Sequence, residues 1–75
     1  MPALPVISGQ QAARAFEKAG WRLARRRGSH LILTKPEAWC NLAIPDDPEL
    51  GRGTLRALIR GAGLTVEEFC ELLSG

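Results

Sequence analysis

The only histidine of the 75-residue chain, His30, closes the run Arg25, Arg26, Arg27, Gly28, Ser29 in the stretch RRRGSHLILTK, residues 25–35. Imidazole, with an ordinary pKa of about 6.5, both takes and gives a proton near neutral pH. A glycine turn brings backbone amides close to a ligand, a serine hydroxyl adds a donor, and guanidinium groups hold phosphate through paired N–H donors. Together these residues describe a phosphate site with a proton-transfer group. A lone histidine in a short chain is also an ordinary surface or core residue, and spacing alone leaves both readings open. Nucleophilic attack by Ser29 would need an acid to orient His30, and the sequence offers no evident one.

The charge around this stretch is uneven. The formal net charge is only +2, yet Arg14 to Lys35 holds seven basic residues (Arg14, Lys18, Arg22, Arg25, Arg26, Arg27, Lys35) against the single acid Glu17. The acids gather later, at Asp46, Asp47, Glu49, Glu67, Glu68 and Glu71. A positive patch on a nearly neutral protein suits a polyanionic partner, and a solvated charged surface is the plainer alternative. Arg52, Arg56 and Arg60 recur every four residues, so on a helix they form one stripe. Such a stripe either tracks a phosphate backbone or covers helix flank with its alkyl stems. Trp21 and Trp39 are read first as core, with stacking on unpaired bases as the alternative. Cys40 and Cys70, thirty positions apart, make neither a zinc knuckle nor a disulfide framework and are expected in the core. One histidine, two separated cysteines and the Asp46–Asp47 pair do not amount to a metal site, and the two aspartates are assigned to shaping a turn.

Positioning the histidine requires a frame. Ser8 and Gln11 have the capping-box spacing, Ala12, Phe16 and Ala19 recur at helical intervals, and Gly20 supplies a stop, which predicts a helix over 9–19. WRLARR and HLILTK, broken at RGS, predict a hairpin. WCNLAI predicts a third strand that Pro45 ends. After the loop PDDPELGRG, the spacing of Leu55, Leu58, Ile59 and Ala62 predicts a second helix, with Thr54 as its cap and Gly63 as its stop. Thr65 and Glu68 repeat the capping box ahead of a short third helix carrying Val66, Phe69, Cys70 and Leu73. The order gives an α+β, two-layer domain with helices on one face of a three-stranded antiparallel sheet. Parity puts Leu31 and Leu33 on one side of the second strand and His30, Ile32 and Thr34 on the other, so leucines facing the helices leave His30 facing outward.

The segment LPVISGQQAARAFEKAGWRLARRRGSHLIL, with its first helix, Gly-aromatic strand start and Gly28-Ser29-His30 turn, resembles the opening of the HicA toxins, and GTLRALIRGAGLTVEEFCELL resembles their closing helices. The resemblance runs nearly end to end, so residues 1–75 read as a single HicA-like toxin domain. It implies a double-stranded-RNA-binding-like (dsRBD-like) fold, α-β-β-β-α with a short extra C-terminal helix. It also implies a toxin of a type II toxin-antitoxin system that cleaves messenger RNA with the motif histidine, His30 here, and that a HicB-type antitoxin inhibits. Many relatives carry a histidine after the proline that ends the third strand; this chain has Asp46, a residue that would repel phosphate and is left out of the site. Besides His30, the expected RNA contacts are Arg25, Arg26, Arg27, Gly28, Ser29, Lys35, Arg56 and Arg60. No metal or small-molecule cofactor is expected. MPALPVISG lacks the basic and apolar segments of a signal peptide and no stretch is apolar enough for a membrane span, so a cytoplasmic protein without membrane association is expected.

Overall fold

A computed structural model describes residues 4–75; Met1 to Ala3, the start of the segment read for a signal peptide, lie outside the described residues. The elements are α1 (Gly9–Lys18), β1 (Arg22–Arg27), β2 (His30–Thr34), β3 (Leu42–Pro45), α2 (Arg52–Gly61) and α3 (Val66–Ser74). The strands form one antiparallel sheet in the order β1-β2-β3. This is the α+β, α-β-β-β-α layout with an added C-terminal helix that the sequence predicts.

Local chemistry sets the helix starts. Gln11 N donates to Ser8 Oγ at 3.1 Å and Ser8 N donates to Gln11 Oε1 at 2.9 Å, so two amides with no partner in the helix are satisfied reciprocally. Thr65 and Glu68 do the same for α3, at 3.1 and 2.9 Å. α2 departs from expectation: it begins at Arg52 behind Gly51, without a side-chain cap, rather than behind Thr54. Leu50 N donates to Ile7 O at 2.8 Å, which anchors the chain just ahead of Gly51 and lets the helix start at once.

Leu31, Leu33, Leu42 and Ile44 join Ala12, Phe16, Leu55, Ile59 and Phe69 in one buried core between sheet and helices. Phe16 and Phe69, with ring centroids 5.0 Å apart, fasten α1 to α3. Lys18 Nζ donates to the carbonyls of Leu72 and Gly75 at 2.9 and 2.8 Å, occupying acceptors at the end of α3 that the helix itself leaves free.

The close approach of α1 to the end of β3 matters for the site. Gly9 N donates to Asp47 O at 2.9 Å, and a Cβ on Gly9 would lie 1.9 Å from the carbonyl oxygen of Pro45. Only glycine fits there.

Three expectations for the segment after β2 fail together. β3 starts at Leu42, not Trp39, because Trp39 and Cys40 lie in a bend outside the ladder. Trp39 is therefore fully exposed, at 103% of its reference area, and not in the core, whereas Trp21 is core as expected. Cys40 is exposed and Cys70 half-buried, so neither is the fully buried core residue expected.

Candidate functional site

The hairpin register decides which residues share a surface with His30. In an antiparallel pair, residues directly opposite one another project to the same face. Arg27 pairs with His30, Arg25 with Ile32 and Arg22 with Thr34, whereas Arg26 pairs with Leu31 and Leu23 with Leu33. Leu31 and Leu33 point to the helices, so the face away from the helices carries Arg22, Arg25, Arg27, His30, Ile32 and Thr34. Pro45 and Ala43 of β3 continue the His30 and Ile32 rows. Strict alternation could not place Arg22 with Arg25 and Arg27. A bulge between Leu23 and Arg25 inserts Ala24 as an extra residue and shifts the phase.

His30 is exposed on this face. Facing partners have Cβ atoms about 4.5–5.5 Å apart and diagonal ones about 7–8 Å, so Arg27 and Arg25 both reach the space in front of the imidazole. Arg22, Arg25 and Arg27 are exposed and take part in no ion pair among the described residues. Ile32 sits in the middle of the face and is buried without belonging to the core. The register flanks it with Arg25 and Ala43, and arginine stems cover apolar surface in this way while keeping their charged ends in water.

Gly28 and Ser29 are the two central residues of the β1–β2 turn. Gly28 has φ +61° and among the described residues only glycines have a positive φ, so the positive angle falls on the first central residue alone, the pattern of a type II′ turn with its preference for glycine there. The turn is tied across the sheet, because Asp46 N donates to Ser29 O at 2.7 Å.

Asp46 turns out to be the organiser beside the turn. Its carboxylate accepts from Arg26 Nη2 and, at 3.3 Å, from Gln10 Nε2, and its side chain is only 14% exposed. This ion pair is the only one among the described residues. It joins β1, α1 and the end of β3 on the helix side of the sheet, away from the exposed face of His30.

The expected contact residues therefore divide. Gly28, Ser29, Arg25, Arg27 and His30 come together at one end of the outer face. Arg26 lies on the opposite face, engaged by Asp46. Lys35 follows the far end of β2 and lines a separate groove with Trp21 and Trp39. Arg56 and Arg60 are exposed on α2, whose Leu55, Leu58 and Ile59 belong to the core on the helix side. Arg22 and Asp46 were absent from the expected set. Periodicity cannot reveal Arg22 because the bulge leaves no local mark, and Asp46 pairs with Arg26 across twenty positions of sequence.

Residues 9–64 match the family model described as "HicA toxin of bacterial toxin-antitoxin". The chain belongs to the HicA toxin family. It is accordingly the toxin of a toxin-antitoxin system, a role that implies a cognate antitoxin as partner. The HicA match covers α1, the whole sheet and α2, so it includes every element that positions the outer face. Curated proteins bring no match. Among the described residues of this HicA chain no three His, Cys, Asp or Glu side chains group so as to hold a metal ion, and no helix is long and apolar enough to cross a membrane.

Proposed function

We infer that this toxin is an endoribonuclease, an mRNA interferase, and that His30 is its catalytic residue. The observation that carries this proposal is the sharing of one exposed face by His30 and three arginines free of carboxylate partners. Phosphate binding needs unpaired cations, and ribose-directed cleavage needs a proton acceptor within reach of the same phosphate.

In the proposed step His30 takes the proton of a ribose 2′-hydroxyl. The 2′ oxygen attacks the adjacent phosphorus, the bond from phosphorus to the 5′ oxygen breaks, and that oxygen takes a proton from solvent. His30 then returns its proton to water. The products are a 2′,3′-cyclic phosphate and a 5′-hydroxyl. Arg27, beside His30 in the register, and Arg25, diagonal to it, offset the charge that builds on the phosphate oxygens. Gly28 and Ser29 contribute the open turn through which a phosphate approaches. Arg26 holds the turn in place through Asp46 instead of meeting RNA. Lys35, Arg56 and Arg60 lie outside this cluster and add to longer-range attraction of the polyanion. The antitoxin, of HicB type, covers this face, and the complex is cytoplasmic.

Incubating the purified chain with single-stranded RNA in the presence of EDTA tests the proposal. The expected result is fragments whose 5′ ends accept phosphate from a polynucleotide kinase without prior dephosphorylation and whose 3′ ends are cyclic. RNA that is bound but uncut would reduce the protein to a binding module, and cleavage restored only by added magnesium or manganese would reverse the roles assigned here.

A further inference from the structure

A second feature lies at the opposite end of β2. Trp21, Lys35, Glu37, Trp39, Ala62 and Gly63 are among the residues around a groove of about 280 Å³. Trp39 presents its whole ring to solvent. Trp21 is only 3% exposed, and its Nε1–H has no acceptor among the described residues.

We propose that this groove seats an unpaired base of a single-stranded RNA, with Trp39 stacking on the base and Lys35 holding the adjoining phosphate. The inference rests on RNA being the substrate. Stacking suits Trp39 because every base offers a π-face and a free indole offers a rigid one. The small residues Gly61, Ala62 and Gly63 line the groove, which lets a planar ring come close. At about 280 Å³ it falls just under the roughly 300 Å³ where small-ligand sites begin, which is room for one base. Lys35 supplies the cation, and Glu37 an acceptor for an amino group on the base edge.

Nearness to the end of the outer face favours RNA as well. Lys35 directly follows Thr34, whose register partner is Arg22. A phosphate chain passing His30, Arg25 and Arg22 along β2 ends beside Thr34 and rounds the end of the strand to reach Lys35, whose side chain lies towards Gly20 at the end of α1. At about 3.3 Å per extended residue, His30 and Lys35 are separated by roughly 16 Å, so the base held at Trp39 is a few nucleotides from the cut. Duplex RNA keeps its bases stacked inside and cannot present one to Trp39.

The test uses a 2′-O-methyl RNA oligonucleotide, which lacks the hydroxyl nucleophile and binds without being cut. The chain has two tryptophans, so the emission of Trp39 is read as the difference between the wild type and Trp39→Phe, in which only Trp21 remains. Single-stranded oligonucleotide should quench the emission of the wild type, and Trp39→Ala should bind on the order of 10- to 100-fold more weakly, the range for one lost stacked base. Trp39→Phe should recover most of that loss, and Lys35→Gln should lower the salt slope of binding by about 0.7. Trp39 is at the surface, so these variants should fold. Equal affinity of Trp39→Ala and wild type, equal quenching by duplex, or a Trp39 signal that responds only to the antitoxin would each overturn the inference. If the outer face cuts RNA while Trp39→Ala changes nothing, only this subsite fails. If RNA quenches Trp39 and no cyclic phosphate forms, only the catalytic proposal fails.

Discussion

Arg26 and Arg27 are neighbours in sequence and face opposite sides of the sheet, which separates two roles that composition merges. Arg27 and Arg25 are free cations beside His30, and Arg26 is engaged by Asp46. Single-strand binding loses about 0.7 logarithmic units per tenfold rise in salt for each phosphate neutralised. Replacing Arg25 and Arg27 by glutamine should therefore flatten the salt slope by about 1.4, as read by fluorescence anisotropy with an uncleavable RNA. Arg26→Gln should leave the slope unchanged and instead cost on the order of 0.5–1 kcal/mol of stability, a small value because Arg26 is more than half exposed. A slope that fell equally in both variants would return Arg26 to the RNA surface. The sequence marks these arginines as a group, and it marks His30 as their neighbour. It does not rank them, because the ranking depends on the register and on a carboxylate twenty positions away.

Among the elements, the junction of α1 with the end of β3 carries the most consequence for the site. The Cβ of alanine at position 9 would fall 1.9 Å from Pro45 O, against backbone that cannot turn aside as a side chain does. Overpacking of this kind costs about 1–3 kcal/mol, and in so small a domain each kcal/mol moves the melting temperature by about 4–8 °C. Gly9→Ala should melt well below the wild type and cleave RNA more slowly at temperatures where both are folded, since Pro45 is the register partner of His30. A melting temperature within about 2 °C of the wild type would show that the junction gives way cheaply. Helix starts such as Ser8 with Gln11 and Thr65 with Glu68 are legible in sequence because the capping groups sit three residues apart. The length of β3 is not. Trp39 and Cys40 have strand-forming side chains, yet the ladder stops before reaching them, and burial in so thin a sheet is decided by which strands lie alongside.

For the molecule as a whole, the same outer face that would draw RNA is left exposed by the described residues, and a toxin of this family has an antitoxin as partner. A partner acting by occlusion should protect His30 from diethyl pyrocarbonate, which labels accessible imidazole. Labelling should be complete in the free toxin and strongly reduced in the complex, and equal labelling of both would place inhibition elsewhere. The α+β layout and the outward-facing histidine are legible from parity and capping, because both are periodic. The division of a continuous basic stretch between two faces is not, because one extra residue, Ala24, rephases the strand. The proposed cleavage depends above all on His30 as the group that moves the proton. Its most direct test compares wild type and His30→Ala at saturating RNA, after anisotropy has shown equal binding and circular dichroism equal folding. Removing a general base should lower the single-turnover cleavage rate by about 10²- to 10⁴-fold; a variant that cuts at the wild-type rate would contradict it.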